Sequence, residues 1–107
     1  MLSQHLKEKL KSNWGSRADA LACYAEARLF DPASDWECYL LAIDPDDEDE
    51  AKVIIVDEDK KLWVIQTTIS YLLGRWNEDG EFMQLDNSFV RRQAAALFKV
   101  LTERNPS

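Results

Sequence analysis

The sequence predicts an α+β fold: a three- to four-stranded antiparallel meander flanked by an N-terminal helix and a longer C-terminal helix. Two observations predict it. Apolar residues recur at helical spacing near both ends of the chain, whereas the middle carries short aromatic and aliphatic runs separated by polar turns. The 107 residues, 46% hydrophobic and 31% charged, are typical of one soluble globular domain. We therefore expect a single domain over residues 1–107, with the sheet within residues 22–70.

Residues 1–15 are expected to form the N-terminal helix. Leu2, Leu6, Leu10 and Trp14 follow one another at intervals of four, with polar residues between them. This spacing places them in one narrow apolar stripe, which must dock on a larger surface. The stripe can pack within the chain or across a two-fold axis, so a homodimer through this helix is one hypothesis.

The first half of the sheet begins within an ambiguous segment, residues 16–30, for which a helical or irregular start is expected. A strand is predicted from Cys23 to Phe30, and Asp31–Asp35 has the composition of a turn. The run from Trp36 to Ile43 consists mostly of aromatic and aliphatic residues, which favours a second strand.

The second half of the meander is bounded by acidic segments. The run Asp44–Glu50 is expected to form a turn, and Lys52–Val56 a third strand. Asp57–Lys60 is predicted to be a hairpin turn and Leu62–Thr68 a fourth strand. Successive strands joined by short polar turns pair antiparallel.

Beyond the meander the pattern weakens. Residues 71–76 favour a short helix or a lead-in, and Asn77–Gly80 is a strong turn. Residues 81–85 fit either an edge strand or the approach to the last helix. The C-terminal helix is expected over residues 87–104, with apolar residues on one face. Both terminal helices are expected to pack on one face of the sheet.

Charge is distributed unevenly along the chain. The net charge is −7, with thirteen Lys and Arg against twenty Asp and Glu, and the pI is near 4.6. Residues 31–59 contain twelve acids and one base, Lys52, for a net charge of −11. The composition argues against a generic nucleic-acid or anionic-membrane binder, because both need clustered positive charge.

The acidic middle predicts a surface that binds a basic protein partner. One form of this hypothesis is mimicry of nucleic-acid phosphates in a phage or mobile-element setting. The competing interpretation is a solvated turn whose charges keep strand edges from pairing with other chains. The predicted partner-binding residues are Asp44, Asp46, Asp47, Glu48, Asp49, Glu50, Asp57, Glu58 and Asp59.

The acidic run does not match a calcium loop. An EF-hand loop needs Gly at its sixth position and Glu at its twelfth, between two helices. Counted from Asp44, those positions are Asp49 and Ile55, and the flanking segments are predicted strands. We expect no metal site and no cofactor; weak binding of a divalent ion by clustered carboxylates is the alternative.

Catalytic motifs are scarce. The single histidine, His5, lies in a terminal turn, and no phosphate-binding glycine loop or zinc-protease motif is present. We therefore expect a non-enzymatic protein with no catalytic residues. The alternative is a small ligand-binding domain or enzyme, with a pocket between the sheet and the C-terminal helix. That pocket would use Trp63, Trp76 or Tyr39 with nearby carboxylates.

The two cysteines, Cys23 and Cys38, belong to no metal-binding pair. A bridge between neighbouring strands is one alternative, but half-buried thiols in a reducing cytosol are favoured. No apolar run reaches the length of a signal peptide or a membrane span. We expect a cytoplasmic protein without membrane contact.

One stretch resembles a known family. Phe30-Asp31-Pro32, Trp36, Tyr39 and Asp44-Pro45 occur in the order seen in domain-of-unknown-function family 2958, a group of small bacterial and mobile-element proteins. The likeness covers about residues 28–72. It implies an FDP turn, a strand with Trp and Tyr, an acidic turn, and two further strands that lead into a helix. It brings no assigned activity and no catalytic residues.

Overall fold

The fold was obtained as a computed structural model, and the structure describes residues 2–14, 23–32, 35–74 and 84–104. These residues form an α+β arrangement, as the sequence predicts. None of the described helices combines the length and the apolar character that a membrane crossing requires. In chain order the elements are α1 (Gln4–Asn13), β1 (Tyr24–Ala25), β2 (Ala27–Phe30), β3 (Glu37–Asp44), β4 (Asp47–Val56), β5 (Leu62–Thr68), α2 (Ile69–Gly74), β6 (Gln84–Leu85), β7 (Arg92–Gln93) and α3 (Ala94–Arg104).

Five strands form one antiparallel sheet in the order β5-β4-β3-β2-β6. Strands β2 to β5 follow one another in the chain, so the predicted meander is present with four strands. Strand β6 adds a fifth strand beside β2, which agrees with the edge-strand interpretation at residues 84–85. Strands β1 and β7 pair separately. The strand predicted from Cys23 to Phe30 is thus divided at Glu26 between two sheets.

The central strand β3 is buried at nearly every position, so both faces of the sheet are covered. Neighbouring residues of a strand point to opposite faces. Cys38 packs in one core cluster with Leu10 of α1. Tyr39 packs in a second cluster with Leu97 of α3. We call these sides the α1 face and the α3 face. The expectation that both helices share one face was wrong, because an unbroken apolar strand needs cover on both sides.

Helix α1 uses its predicted stripe to pack on the sheet of its own chain. Ser3 caps the helix, since its hydroxyl accepts the N–H of Leu6 at 3.1 Å. Leu10 is fully buried, and the other leucines of the stripe pack partly buried against the same cluster. The Lys52 ammonium lies 4.5 Å from the ring centre of Trp14, just beyond the helix. These contacts lie within one chain, so the homodimer through this helix stays a prediction.

The acidic run is not only a turn, because β4 begins at Asp47 and not at Lys52. The turn itself is limited to Pro45 and Asp46, and Asp44 lies opposite Asp47 in the register. At the other side of β4, Glu50 lies opposite the last residue of β5. Pairing with both neighbours extends the strand through residues whose own strand propensity is low.

The hairpin turn between β4 and β5 is confirmed. The N–H of Lys60 donates to the carbonyl of Asp57 at 2.9 Å, and the N–H of Asp57 donates to the carbonyl of Lys61 at 3.0 Å. Lys60 has a φ of 67°, in the left-handed region, which lets the chain reverse within four residues. Strand β5 then begins and ends at the predicted residues, Leu62 and Thr68.

The C-terminal helix begins at Ala94 and not at residue 87. The carboxylate of Asp86 accepts both the N–H and the hydroxyl of Ser88, at 2.9 and 2.7 Å, and these bonds hold a turn in place of the expected first helical turn. Residues 92–93 then pair with β1 before the helix starts. The short helix predicted at 71–76 is α2, which starts two residues earlier.

The predicted turn at Asn77–Gly80 and the helical or irregular start expected before Cys23 lie outside the described residues.

Both cysteines are buried thiols that form no disulfide bond. Cys38 belongs to the cluster on the α1 face, and Cys23 to the cluster on the α3 face. Because the sheet separates them, the alternative of a bridge between them was wrong. Burial raises the pKa of the Cys38 thiol far above its ordinary value, so this side chain acts as a small apolar group.

The packing of α1 predicts a large effect of truncating its buried leucine. We expect Leu10→Ala to lower the free energy of unfolding by about 2–4 kcal/mol, because it removes a fully buried side chain and leaves a cavity. Leu6→Ala, at a partly buried position, serves as the control and should cost less. Urea unfolding followed by Trp fluorescence measures both. Equal, small losses would contradict docking of α1 on the sheet.

Candidate functional site

The nine predicted acidic residues form two separate groups. Residues 44–50, here called the acidic hairpin, comprise the end of β3, the turn, and the start of β4. Residues 57–59, here called the acidic turn, follow the end of β4. Strand β4 has 10 residues, and a strand of that length spans about 30 Å. The two groups therefore do not form one continuous acidic edge.

The acidic hairpin is held in shape by its own carboxylates. Asp44 Oδ1 accepts the N–H of Asp46 at 2.8 Å, and Asp47 Oδ1 accepts the N–H of Asp49 at 3.1 Å. Such bonds stabilise tight turns, because the side chain takes the place of a backbone acceptor. Asp46, Asp47 and Glu48 are exposed, while the other acids of the hairpin are half-buried. The exposed carboxylates thus stand on an ordered backbone.

The half-buried acids of the hairpin join it to the end of β5. Asp49 Oδ1 accepts the N–H and the hydroxyl of Ser70, both at 2.8 Å. Glu50 Oε2 accepts the side-chain amide of Gln66 at 3.0 Å. These two carboxylates therefore have structural partners, and they fix the hairpin relative to the junction of β5 and α2.

The basic side of α1 lies beside the acidic hairpin. Glu48 Oε2 is 3.4 Å from the ammonium nitrogen of Lys11 and 4.0 Å from that of Lys7. Exposed ion pairs of this kind contribute about 0–1 kcal/mol each. Their main effect is on charge, because the helix offsets part of the hairpin's negative potential. The exposed charge at the tip then depends mainly on Asp46 and Asp47.

Asp57, the first residue of the acidic turn, has a structural role. The indole N–H of Trp63 donates to Asp57 Oδ2 at 3.0 Å, and the N–H groups of Asp59 and Lys61 donate to Asp57 Oδ1, each at 2.9 Å. These hydrogen bonds hold the pKa of Asp57 below its ordinary value, and the bond from Trp63 has the largest effect. Asp57 therefore stabilises the hairpin between β4 and β5.

Two of the three aromatic residues named for the alternative pocket lie on opposite faces of the sheet. Tyr39 is buried on the α3 face, where its ring lies 5.7 Å from that of Phe89. Trp63 lies opposite Ile55 in the register, which places it on the α1 face, and it is half exposed. The sheet separates Tyr39 from Trp63, so they cannot line one pocket. Trp76 lies outside the described residues.

A small cleft of about 110 Å³ lies elsewhere, where the β2–β3 turn meets the β4–β5 hairpin. It is far smaller than the roughly 300–1,000 Å³ of a typical ligand pocket. Lys60 closes one side through an ion pair with Asp35 at 3.5 Å. The lining residues are Arg28, Phe30, Asp31, Asp35, Trp36, Glu37 and Lys60.

The Arg28 guanidinium organises the inner wall of the cleft. It donates to Glu37 Oε1 at 2.8 Å and to Asp86 Oδ2 at 3.0 Å, which joins β2, β3 and the segment after β6. The hydroxyl of Tyr39 donates to the same Glu37 oxygen at 2.6 Å. Burial and the Glu37 carboxylate raise the pKa of Tyr39 to about 12. The charges of this wall are mutually paired, so the arrangement stabilises the fold and offers no activated acid or base.

A second ionic cluster surrounds Glu26, at the break between β1 and β2. Its side chain is only 2% exposed. Arg91 donates to both of its oxygens, at 2.7 and 2.9 Å, and the side-chain amide of Asn13 donates at 3.0 Å. Burial raises the pKa of Glu26, but the hydrogen bonds from Arg91 and Asn13 outweigh it, so the pKa is lower than its ordinary value. Glu26 thereby ties the end of α1 to the segment before α3.

Sequence reasoning missed both ionic clusters. Arg28 and Asp86 are 58 positions apart, and Glu26 and Arg91 are 65 apart. Only the sheet topology brings them together, so no local motif could have indicated the pairs. In the part of the chain that the structure describes, no group of three or more His, Cys, Asp or Glu is arranged to hold a metal ion.

The Glu26 cluster predicts a specific pH dependence of stability. A carboxylate whose folded pKa is depressed contributes stability above its unfolded pKa, and that contribution is lost as the pH falls through the folded pKa. We therefore expect the free energy of unfolding to fall more steeply from about pH 6 to about pH 3 in the wild type than in Glu26→Gln. Urea unfolding at each pH measures this. Glu8→Gln, at an exposed site, is the control and should follow the wild type; an unchanged slope in Glu26→Gln would contradict the role of the cluster.

No protein-family model, no curated protein and no solved structure gave a significant match to this chain. The likeness to family 2958 therefore stays a hypothesis, and the function has to be argued from the geometry of the chain itself.

Proposed function

We propose that this protein is a non-enzymatic interaction protein that presents its acidic hairpin to a basic protein partner. The observation that carries the proposal is the exposure of Asp46, Asp47 and Glu48 on a backbone whose N–H groups donate to the carboxylates of Asp44 and Asp47. Carboxylates on an ordered turn lose little conformational entropy when they meet cations. Their shared field also accelerates encounter with a basic partner.

The local balance of charge supports this assignment. The acidic hairpin holds six carboxylates within seven residues, and the cations beside it, Lys7 and Lys11, engage only Glu48. A surface whose charge served only solubility would not require six carboxylates within seven consecutive residues. A partner segment rich in Lys or Arg matches this surface, and a mimic of nucleic-acid phosphates is its special form.

The acidic turn is not part of the same contact. It lies at the far end of β4, about 20 Å beyond Glu50, the last residue of the acidic hairpin, and Asp57 is engaged in the hairpin turn. The proposed site is therefore narrower than the nine residues expected from the sequence. Within the described residues, the cleft beside Arg28 gives the ligand-pocket alternative no support, because it is small and its charges are paired.

The proposal predicts that removal of the negative charges of Asp46 and Asp47 weakens binding. Asp46→Asn/Asp47→Asn keeps the side-chain oxygen that accepts the N–H of Asp49, so the hairpin should keep its shape. Two exposed ion pairs contribute together about 0.4–2 kcal/mol, and we expect an affinity loss of about twofold to thirtyfold at low salt. Affinity capture from a lysate, at low and high salt, identifies the partner, and titration calorimetry with that partner measures the loss.

The matched control is Glu8→Gln/Glu103→Gln, which removes two exposed charges on the helices. It should bind like the wild type. If the partner is equally tight on both double variants, the acidic hairpin is not the site. If no salt-sensitive partner is captured by the wild type, the proposal fails and the acidic hairpin is a solvated turn.

A further inference from the structure

Two lysines of α1 already occupy one side of the acidic hairpin. The ammonium nitrogen of Lys11 lies 3.4 Å from Glu48 Oε2, and that of Lys7 lies 4.0 Å from the same oxygen. Lysines four positions apart share one face of a helix. The side chains of Lys11 and Lys7 are 25% and 37% exposed, whereas Lys9, on a different face of the helix, is exposed. The hairpin therefore already binds a pair of cations, and both belong to its own chain.

The helix that carries these lysines is anchored independently of them. Leu10 is fully buried in the cluster on the α1 face. The side-chain amide of Asn13 donates to the carbonyl of Leu41 at 3.0 Å. An anchored helix keeps both ammonium groups beside Glu48 at a high effective concentration. Because exposed ion pairs contribute little to stability, the two lysines matter more for the charge of the hairpin than for the fold.

We infer that Lys7 and Lys11 form an autoinhibitory contact, which lowers the affinity of the acidic hairpin for a basic partner. This regulation rests on the function proposed for the hairpin. A partner cation that reaches Glu48 has to displace an ammonium group of the same charge. The two lysines also offset a third of the charge of the six carboxylates in the hairpin. Their presence therefore weakens the field that attracts the partner.

The contact acts in both directions. Coupling free energies are reciprocal, so a basic partner weakens the lysine contact with Glu48 by the same factor by which that contact weakens the partner. Asp46 and Asp47 at the tip are exposed, so a partner can bind there first and then compete for Glu48. A segment with several adjacent cations competes better than a single cation, because its further charges reach Glu48 in an intramolecular step.

Removal of the two lysine charges tests the contact. The probe is a fluorescently labelled octalysine peptide, whose affinity is measured by anisotropy at about 0.1 M salt, where charges are screened beyond about 10 Å. We expect Lys7→Gln/Lys11→Gln to bind the peptide about twofold to thirtyfold more tightly than the wild type, because two ion pairs no longer compete. The difference should disappear at about 1 M salt, where the screening length falls to about 3 Å. The amide chemical shifts of residues 46–48 identify peptide that is bound at the hairpin.

The matched control is Lys9→Gln/Lys99→Gln, which removes the same total charge. Lys9 lies on α1 and Lys99 on α3, and both are exposed. This variant should bind the peptide like the wild type. If it binds as tightly as Lys7→Gln/Lys11→Gln, net charge explains the gain and the contact is not autoinhibitory. If Lys7→Gln/Lys11→Gln binds no more tightly than the wild type, the inference is wrong.

A zero-length cross-link tests the contact without a variant. A carbodiimide joins a carboxylate and an ammonium group that are in contact as an amide, with loss of water. We expect a link between Lys11 and Glu48 in the free wild type, since this is the shorter of the two ion pairs. Octalysine should suppress the link, because the peptide takes the same carboxylate. Absence of the link from the free protein, or a link that forms equally with bound peptide, would overturn the inference.

The outcomes separate this regulation from the function on which it rests. Peptide binding at the hairpin that Asp46→Asn/Asp47→Asn weakens, but that is equal in the wild type and in Lys7→Gln/Lys11→Gln, supports the function and rejects the regulation. No shift of the hairpin amides in either protein rejects the function, and the regulation with it. Tighter binding by Lys7→Gln/Lys11→Gln, without a gain in the control, supports both.

Discussion

The rest of the structure depends on the burial of β3 on both of its faces. Its run from Cys38 to Ile43 is apolar without alternation, and a strand of this kind is stable only between two layers. Helix α1 supplies one layer, and α3 supplies the other. These two helices come from opposite ends of the chain, so the central strand cannot be covered until both ends have folded onto it. This constraint makes the fold cooperative, although its meander is built from local hairpins.

The ionic clusters follow from the same constraint. Helices on opposite faces do not pack against each other, so other contacts must join the layers at the rim of the sheet. Glu26 does this with Asn13 at the end of α1 and with Arg91 before β7. A buried carboxylate with two partners is strongly disfavoured when one of them is absent. The cluster therefore favours the one arrangement in which both ends of the chain are in place, and it adds specificity more than it adds stability.

Local chemistry explains which parts of the fold the sequence could predict. The turn at Asp57–Lys60 and the whole of β5 were predicted correctly, because turn residues and an uncharged strand are adjacent in the chain. The start of α3 was predicted wrongly, because Asp86 accepts a hydrogen bond from Ser88 and this bond forms a tight turn where a helical turn was expected. The start of β4 was missed because its acidic residues form a strand only by pairing with the neighbouring strands β3 and β5.

The candidate site likewise combines features that the local sequence predicts with features that depend on the fold. Composition alone indicated an acidic surface, and the acidic hairpin is there, but its separation from the acidic turn depends on the length of β4. Tyr39 and Trp63 were alternative residues for one pocket, and the structure places them on opposite faces of the sheet. The face of each residue follows from the register, in which Tyr39 lies opposite Ile54 and Trp63 lies opposite Ile55. The order of residues in the chain does not reveal this register. Apolar side chains alone do not distinguish a pocket wall from a core.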